Sequence, residues 1–153
     1  TGETIVTIKL ASLKANLERE AKGDWVGYPD WPGVAFNVSS IHTPAYKTAV
    51  QLMSQRLARV YKSKPVPADE MHEELGQLFC KHLLHDWRGL DVAYSPEKAL
   101  EVLCDPAYRD VLDAVRWCAE KISELQVEFV ETKAKNSARP SGDATSSKAK
   151  TTG

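Results

Sequence analysis

Histidine and cysteine side chains near the middle of the chain are the residues best suited to metal chemistry. His82, His85 and Asp86 lie within about one helical turn, Cys80 is close in sequence, and His72 lies ten residues before His82. Imidazole, thiolate and carboxylate groups all bind zinc, but zinc sites usually show paired motifs such as His-Glu-x-x-His or two Cys-x-x-Cys units. The sequence contains neither motif. We therefore predict no metal ion and interpret these histidines as helix-surface or interface residues.

The three cysteines, Cys80, Cys104 and Cys118, each lie inside an apolar helical pattern. Burial on an apolar face raises the pKa of a thiol and makes it a poor nucleophile. Their odd number also favours reduced side chains over a disulfide framework. Acidic side chains are plentiful, but most lie where solvated helix faces and helix starts need them. We predict no catalytic residue, no cofactor and no enzymatic activity.

Length and composition indicate one domain with a real core, since 42% of the 153 residues are hydrophobic. Twenty basic and twenty-one acidic side chains give a net charge of -1, which offers little attraction for nucleic acid or anionic membranes. No apolar run approaches the roughly 20 residues of a membrane span. We therefore expect this protein to bind neither nucleic acid nor a membrane. Residues 131–153 contain five basic and two acidic side chains and no large apolar residue, which predicts a disordered basic tail.

Hydrophobic periodicity predicts about five helices, and three of them start with the same device. Thr43-Pro44, Ser95-Pro96 and Asp105-Pro106 each place a capping side chain before a proline at the first helical position. Apolar residues then recur at intervals of three and four. The predicted helices span about residues 10–22, 44–62, 68–86, 96–103 and 106–129.

A β-hairpin is predicted near residues 24–41, from strands at residues 24–27 and 33–41. Its loop is dense in turn-forming residues and should expose two aromatic side chains, Tyr28 and Trp31. Ile5, Val6 and Ile8 could form a strand or an extended arm. The predicted fold is mainly α, a compact bundle of about five helices with a small N-terminal hairpin, in one domain covering residues 1–130.

Two surfaces are candidates for binding a partner. One is the hairpin loop, where Tyr28 and Trp31 would offer amphipathic rings of the kind enriched at interfaces. The other is a basic face on the second helix, formed by Lys47, Arg56, Arg59 and Lys62. A solvated helix face explains such charges equally simply. If it binds a partner, that partner should present an acidic helix.

Residues 87–96 interrupt two helical patterns and are interpreted as a structural crossover between helices. A tryptophan would fill the space beneath it, a glycine would permit a turn, and the serine–proline pair would restart the helix. We expect substitution of Trp87 to destabilise the fold. The crossover residues singled out are Trp87, Gly89, Asp91, Tyr94, Ser95 and Pro96.

The segment from Leu10 to Cys118 resembles the tail assembly chaperones of long-tailed bacteriophages. The resemblance lies in an aliphatic-x-Asp-Trp-x-Gly segment, here Leu84–Gly89, followed by a helix start at Tyr94-Ser95-Pro96. Further similar pieces are Leu13–Glu18 with Trp25, Pro32–Phe36 and Pro44–Tyr46.

This resemblance implies a non-enzymatic protein that binds the long helical tape measure protein and helps tail tube protein to assemble around it. Self-association, residence in the host bacterial cytoplasm and absence from the mature virion are implied as well. It also implies a longer form made by a programmed frameshift, for which Ala134-Lys135-Asn136 permits a slippery codon run. The alternatives are a structural head–tail connector or tube-associated protein, and a small regulator that binds a host protein.

Overall fold

The computed structural model describes residues 3–133, which fall into two compact units. We call residues 3–15 and 125–133 the ribbon unit, and residues 16–124 the core unit. The ribbon unit contains β1 (Thr4–Ile8), a 3-10 helix (Leu10–Leu13) and β5 (Phe129–Lys133). The core unit contains α1 (Leu17–Lys22), β2 (Asp24–Gly27), β3 (Ala35–Val38), α2 (Pro44–Val60), α3 (Ala68–His82), β4 (Leu84–Arg88), α4 (Pro96–Cys104), a 3-10 helix (Pro106–Tyr108) and α5 (Arg109–Lys121).

The described chain has an α+β fold, so the prediction of a mainly α bundle with one small hairpin was wrong. The core unit holds a three-stranded antiparallel sheet in the order β2-β3-β4. The ribbon unit holds a second antiparallel pair, β1 with β5. The predicted β2–β3 hairpin is confirmed. The prediction had placed β4 at the end of the third helix and the start of the crossover, and β5 at the end of the fifth helix and the start of the disordered tail.

Two of the three predicted helix starts, Thr43-Pro44 and Ser95-Pro96, are confirmed, whereas α5 starts only at Arg109, after a short 3-10 helix. The side-chain oxygen of Thr43 accepts a hydrogen bond from the Tyr46 N–H at 3.4 Å, and that of Ser95 accepts one from the Lys98 N–H at 3.1 Å. Asp105 caps the short 3-10 helix that precedes α5 through the Ala107 N–H at 2.9 Å. These bonds satisfy backbone donors that have no partner within the helix.

The third helix ends at His82 rather than at Asp86, and the following residues form β4. Leu84 and Trp87 are both buried, although residues three apart face opposite sides of a regular strand. The pairing of β3 with β4 is irregular at this point. Val38 lies opposite Leu84, whereas Asn37 lies opposite Asp86, so β4 has one extra residue between the two pairs. A spacing of three also fits a helix. The sequence pattern alone therefore could not separate the two structures.

The fifth helix ends at Lys121 rather than near Phe129. Leu125 and Phe129 continue its apolar spacing, yet both are exposed, and residues 129–133 pair with β1 instead. Residues 131–133 of the predicted disordered tail therefore lie in a strand. Residues 134–153, including the predicted slippery segment at 134–136, lie outside the described residues.

The helix predicted for residues 10–22 is interrupted. Leu10–Leu13 forms one 3-10 turn, and α1 starts only after Asn16, whose side chain accepts a hydrogen bond from the Arg19 N–H at 3.1 Å. Leu10 and Leu17 are exposed, so their spacing does not mark a buried face. Gly23 ends α1 at a φ of 91°, a positive value that glycine adopts readily because it has no Cβ.

The hydrophobic core lies between the three-stranded sheet and the helices α3, α4 and α5. Phe36 and Phe79 are fully buried at its centre. Helices α3 and α4 approach closely at Gly76, where an added Cβ would lie 2.5 Å from the carbonyl oxygen of Leu103. None of the helices described here combines the length and apolar composition needed to cross a bilayer.

Candidate functional site

A groove between α2 and α3 brings two of the predicted partner-binding residues, Arg56 and Arg59, together. Its volume is about 440 Å³. The lining residues on α2 run from Ala49 to Arg59, eleven residues or about 16 Å of helix, which matches three helical turns. The groove is lined by Ala49, Leu52, Met53, Arg56 and Arg59 on α2, and by Glu74, Gln77, Leu78, Lys81 and His82 on α3.

The floor of the groove is apolar and partly open to solvent. Met53 is buried, whereas Leu52 is 59% exposed and Leu78 is half-buried. Leu52 stands beside the buried stripe of α2, so its side chain adds apolar surface that the core unit does not cover. Such a surface favours contact with another apolar side chain.

The rim of the groove carries more positive than negative charge. The Arg56 guanidinium forms a two-pronged ion pair with the Glu74 carboxylate, which raises the pKa of Arg56. Arg59 and Lys81 lie on opposite helices and are both exposed. Burial and the neighbouring Lys81 lower the pKa of His82, which favours the neutral form of its ring. Arg59 and Lys81 therefore remain available for acidic groups.

The predicted basic face of α2 is only partly brought into this groove. Arg56 and Arg59 line it, but Lys47, in the exposed first turn of α2, and Lys62, which follows α2, lie outside it. Arg56 is also engaged with Glu74 across the groove. The groove residues on α3, above all Lys81, were not predicted, because local periodicity does not show which helix packs beside α2. Leu52, an apolar residue next to the buried stripe of α2, was the one signal in the sequence that pointed to this groove.

The hairpin-loop aromatics are packed rather than exposed, which corrects that expectation. Tyr28 and Trp31 are both half-buried against the core, with their ring centroids 4.8 Å apart in an edge-to-face arrangement. Tyr28 makes a second such contact with Trp117 of α5 at 5.6 Å. The loop backbone is fixed by a hydrogen bond from the Tyr28 N–H to the Val34 carbonyl at 3.0 Å. These rings hold the hairpin on α5.

The predicted crossover begins in β4, where Trp87 opposes Phe36 of β3. The Trp87 indole is 5% exposed, donates a hydrogen bond to the Val92 carbonyl at 2.8 Å and stacks edge-to-face on Tyr94 at 5.3 Å. Gly89 has a φ of 91°, and an added Cβ would lie 2.1 Å from the Gly33 carbonyl oxygen.

Beyond Gly89, the crossover covers one side of a small apolar cleft of about 180 Å³. Asp91 is exposed at this cleft, which Lys98 of α4 also lines. Ser95 and Pro96 then form the capped start of α4. The crossover residues thus join the sheet to α4 and do not line the α2–α3 groove.

The potential metal ligands and nucleophiles do not converge. Within residues 3–133, no three His, Cys, Asp or Glu side chains are placed to hold a metal ion together. Burial raises the pKa values of Cys80 and Cys118 to about 12 and also raises that of Cys104, so these thiols are protonated at neutral pH. The Nε2 atom of His85 lies 2.6 Å from the hydroxyl of Ser39, which follows β3, and partial burial lowers the pKa of His85.

Comparison with protein families identifies the origin of the chain. The family model described as YdaY prophage protein matches residues 41–136, more than half of the sequence. The chain belongs to the YdaY prophage protein family. The α2–α3 groove of this YdaY family member lies wholly within the matched segment, whereas Tyr28, Trp31 and β1 precede it. Comparisons with curated proteins and with solved structures gave no match.

Proposed function

We propose that this prophage protein is a non-enzymatic tail assembly chaperone that binds the tape measure protein through the α2–α3 groove. The observation that carries the proposal is the pairing of an apolar groove floor with a basic rim. An amphipathic helix binds such a groove by placing its apolar stripe on the floor. Acidic residues beside that stripe would meet Arg59 and Lys81 on the rim.

The tape measure protein fits these requirements as a client because it is very long and largely helical. Three turns of helix span the groove, so each protein would cover only a short segment of the client. Membership of a prophage family and the resemblance of residues 10–118 to tail assembly chaperones support the same assignment. Binding would keep the client soluble in the host cytoplasm until tail tube protein assembles around it, after which the chaperone would be released.

Co-expression with the tape measure protein of the same prophage tests this proposal. The double variant Arg59→Glu, Lys81→Glu reverses both available rim charges without touching the Arg56–Glu74 pair. We expect the soluble fraction of the client to fall to the level seen without the chaperone. Both side chains are exposed, so the far-ultraviolet circular dichroism of the variant should be unchanged.

The matched control is the double variant Lys47→Glu, Lys62→Glu, which makes the same change in net charge at exposed positions outside the groove. This control should keep the client as soluble as the wild-type protein does. Equal client solubility with the two double variants would refute the groove as the binding surface. A client that stays insoluble even with the wild-type protein would refute the chaperone function.

A further inference from the structure

The ribbon unit has an apolar surface that its own two strands do not cover. Ile5, Val6 and Ile8 of β1 are 45–56% exposed, and Phe129 of β5 is 64% exposed. Strand pairing places Ile8 opposite Phe129 and Val6 opposite Glu131, so Val6, Ile8 and Phe129 share one face. An isolated two-stranded sheet is only marginally stable in water. This unit should therefore gain stability from an added strand.

The two strands of the ribbon differ in how their edges are protected. β5 carries Glu131 and Lys133, and charged side chains on an edge strand discourage further pairing. All five residues of β1, Thr-Ile-Val-Thr-Ile, are uncharged and β-branched, the side chains that favour strands most. Within the described residues β1 pairs only with β5. Its other edge therefore has strong strand propensity and lacks charged or proline protection.

We propose that the outer edge of β1 binds β1 of a second copy of this chain in antiparallel orientation. A register centred on Val6 pairs Val6 with Val6 of the other copy, Ile5 with Thr7, and Thr4 with Ile8. Every pair joins two β-branched side chains, and no charges of like sign face each other. This self-complementarity is what a two-fold symmetric interface requires.

The same geometry limits the assembly to two copies. The combined sheet has the order β5-β1-β1-β5. Both uncharged β1 edges are then paired, and the charged β5 strands form the two outer edges. Val6, Ile8 and Phe129 of both copies then lie on one face of a four-stranded sheet. This inference uses none of the groove residues and does not depend on the proposed function.

Light scattering of the full chain during size-exclusion chromatography, over a series of concentrations, tests the dimer. Val6→Lys places two positive charges opposite each other at the two-fold axis, and we expect the dissociation constant to rise by at least about tenfold. The control Val130→Lys introduces the same side chain at an exposed position of β5 and should leave the dimer intact.

A mixing experiment separates lost pairing from a disrupted ribbon. An equimolar mixture of the Val6→Lys and Val6→Glu variants should form a heterodimer with restored affinity, because opposite charges then face each other across the axis. A monomeric wild-type protein, an unaffected Val6→Lys dimer, equal weakening by Val130→Lys, or a mixture that stays monomeric would each overturn the proposal.

Discussion

The core unit and the ribbon unit differ in where their apolar side chains lie. Every buried hydrophobic residue of the described chain belongs to the core unit, between Val34 and Ile122. The described ribbon unit has no buried residue, yet it contains nine of the sixteen exposed large hydrophobic residues: Ile5, Val6, Ile8, Leu10, Leu13, Leu125, Val127, Phe129 and Val130. Packing within the chain therefore accounts for the core unit, whereas the ribbon unit leaves its apolar side chains exposed, and the proposed dimer would pair its uncharged edge.

Truncation of one aromatic side chain in each unit should give the largest contrast. Trp87→Ala removes a buried indole and its hydrogen bond to the Val92 carbonyl, and should lower the free energy of unfolding by about 3–5 kcal/mol. Phe129→Ala removes a ring that is 64% exposed and should change it by less than about 0.5 kcal/mol. Urea denaturation at low protein concentration, followed by circular dichroism, measures both changes. Similar values for the two variants would contradict the distinction between the units.

Glycine substitutions should sharpen the comparison within the core unit, with a smaller effect. Gly89→Ala forces a side chain into a positive φ and against the Gly33 backbone, and should cost about 2–4 kcal/mol. Gly27→Ala is the matched control in β2, because an added Cβ there has no neighbour within 4 Å. Its effect should lie within about 0.5 kcal/mol. The same urea titration applies, and an equally destabilised Gly27→Ala would remove the role assigned to the Gly89–Gly33 contact.

Features fixed by local chemistry could be predicted from the sequence. The caps formed by Thr43 and Ser95 need only a hydroxyl followed by proline, and the β2–β3 hairpin needs only two alternating segments around a turn. Features that depend on contacts between residues distant in sequence could not be predicted. Leu84 and Trp87 have helical spacing, and only pairing with β3 makes their segment a strand.

The same limit applies to the candidate site. Arg56 and Arg59 could be chosen from one amphipathic helix, because their own periodicity placed them on its polar face. Lys81 lies on α3, and its place in the same groove as Arg59 follows from the packing of two helices that are separated in sequence. The half-buried state of Trp31 similarly follows from its stacking on Tyr28, which packs on α5.

Site-specific photo-crosslinking to the tape measure protein tests the central claim, client binding in the α2–α3 groove, most directly. A photoreactive amino acid at Leu52 reports on the groove, and one at Leu100, an exposed leucine of α4, serves as the control. We predict that the probe at Leu52 crosslinks to the client, that the crosslink disappears with Arg59→Glu, Lys81→Glu, and that the probe at Leu100 gives none. Crosslinking at Leu100 but not at Leu52, or equal crosslinking at both, would contradict client binding in the groove.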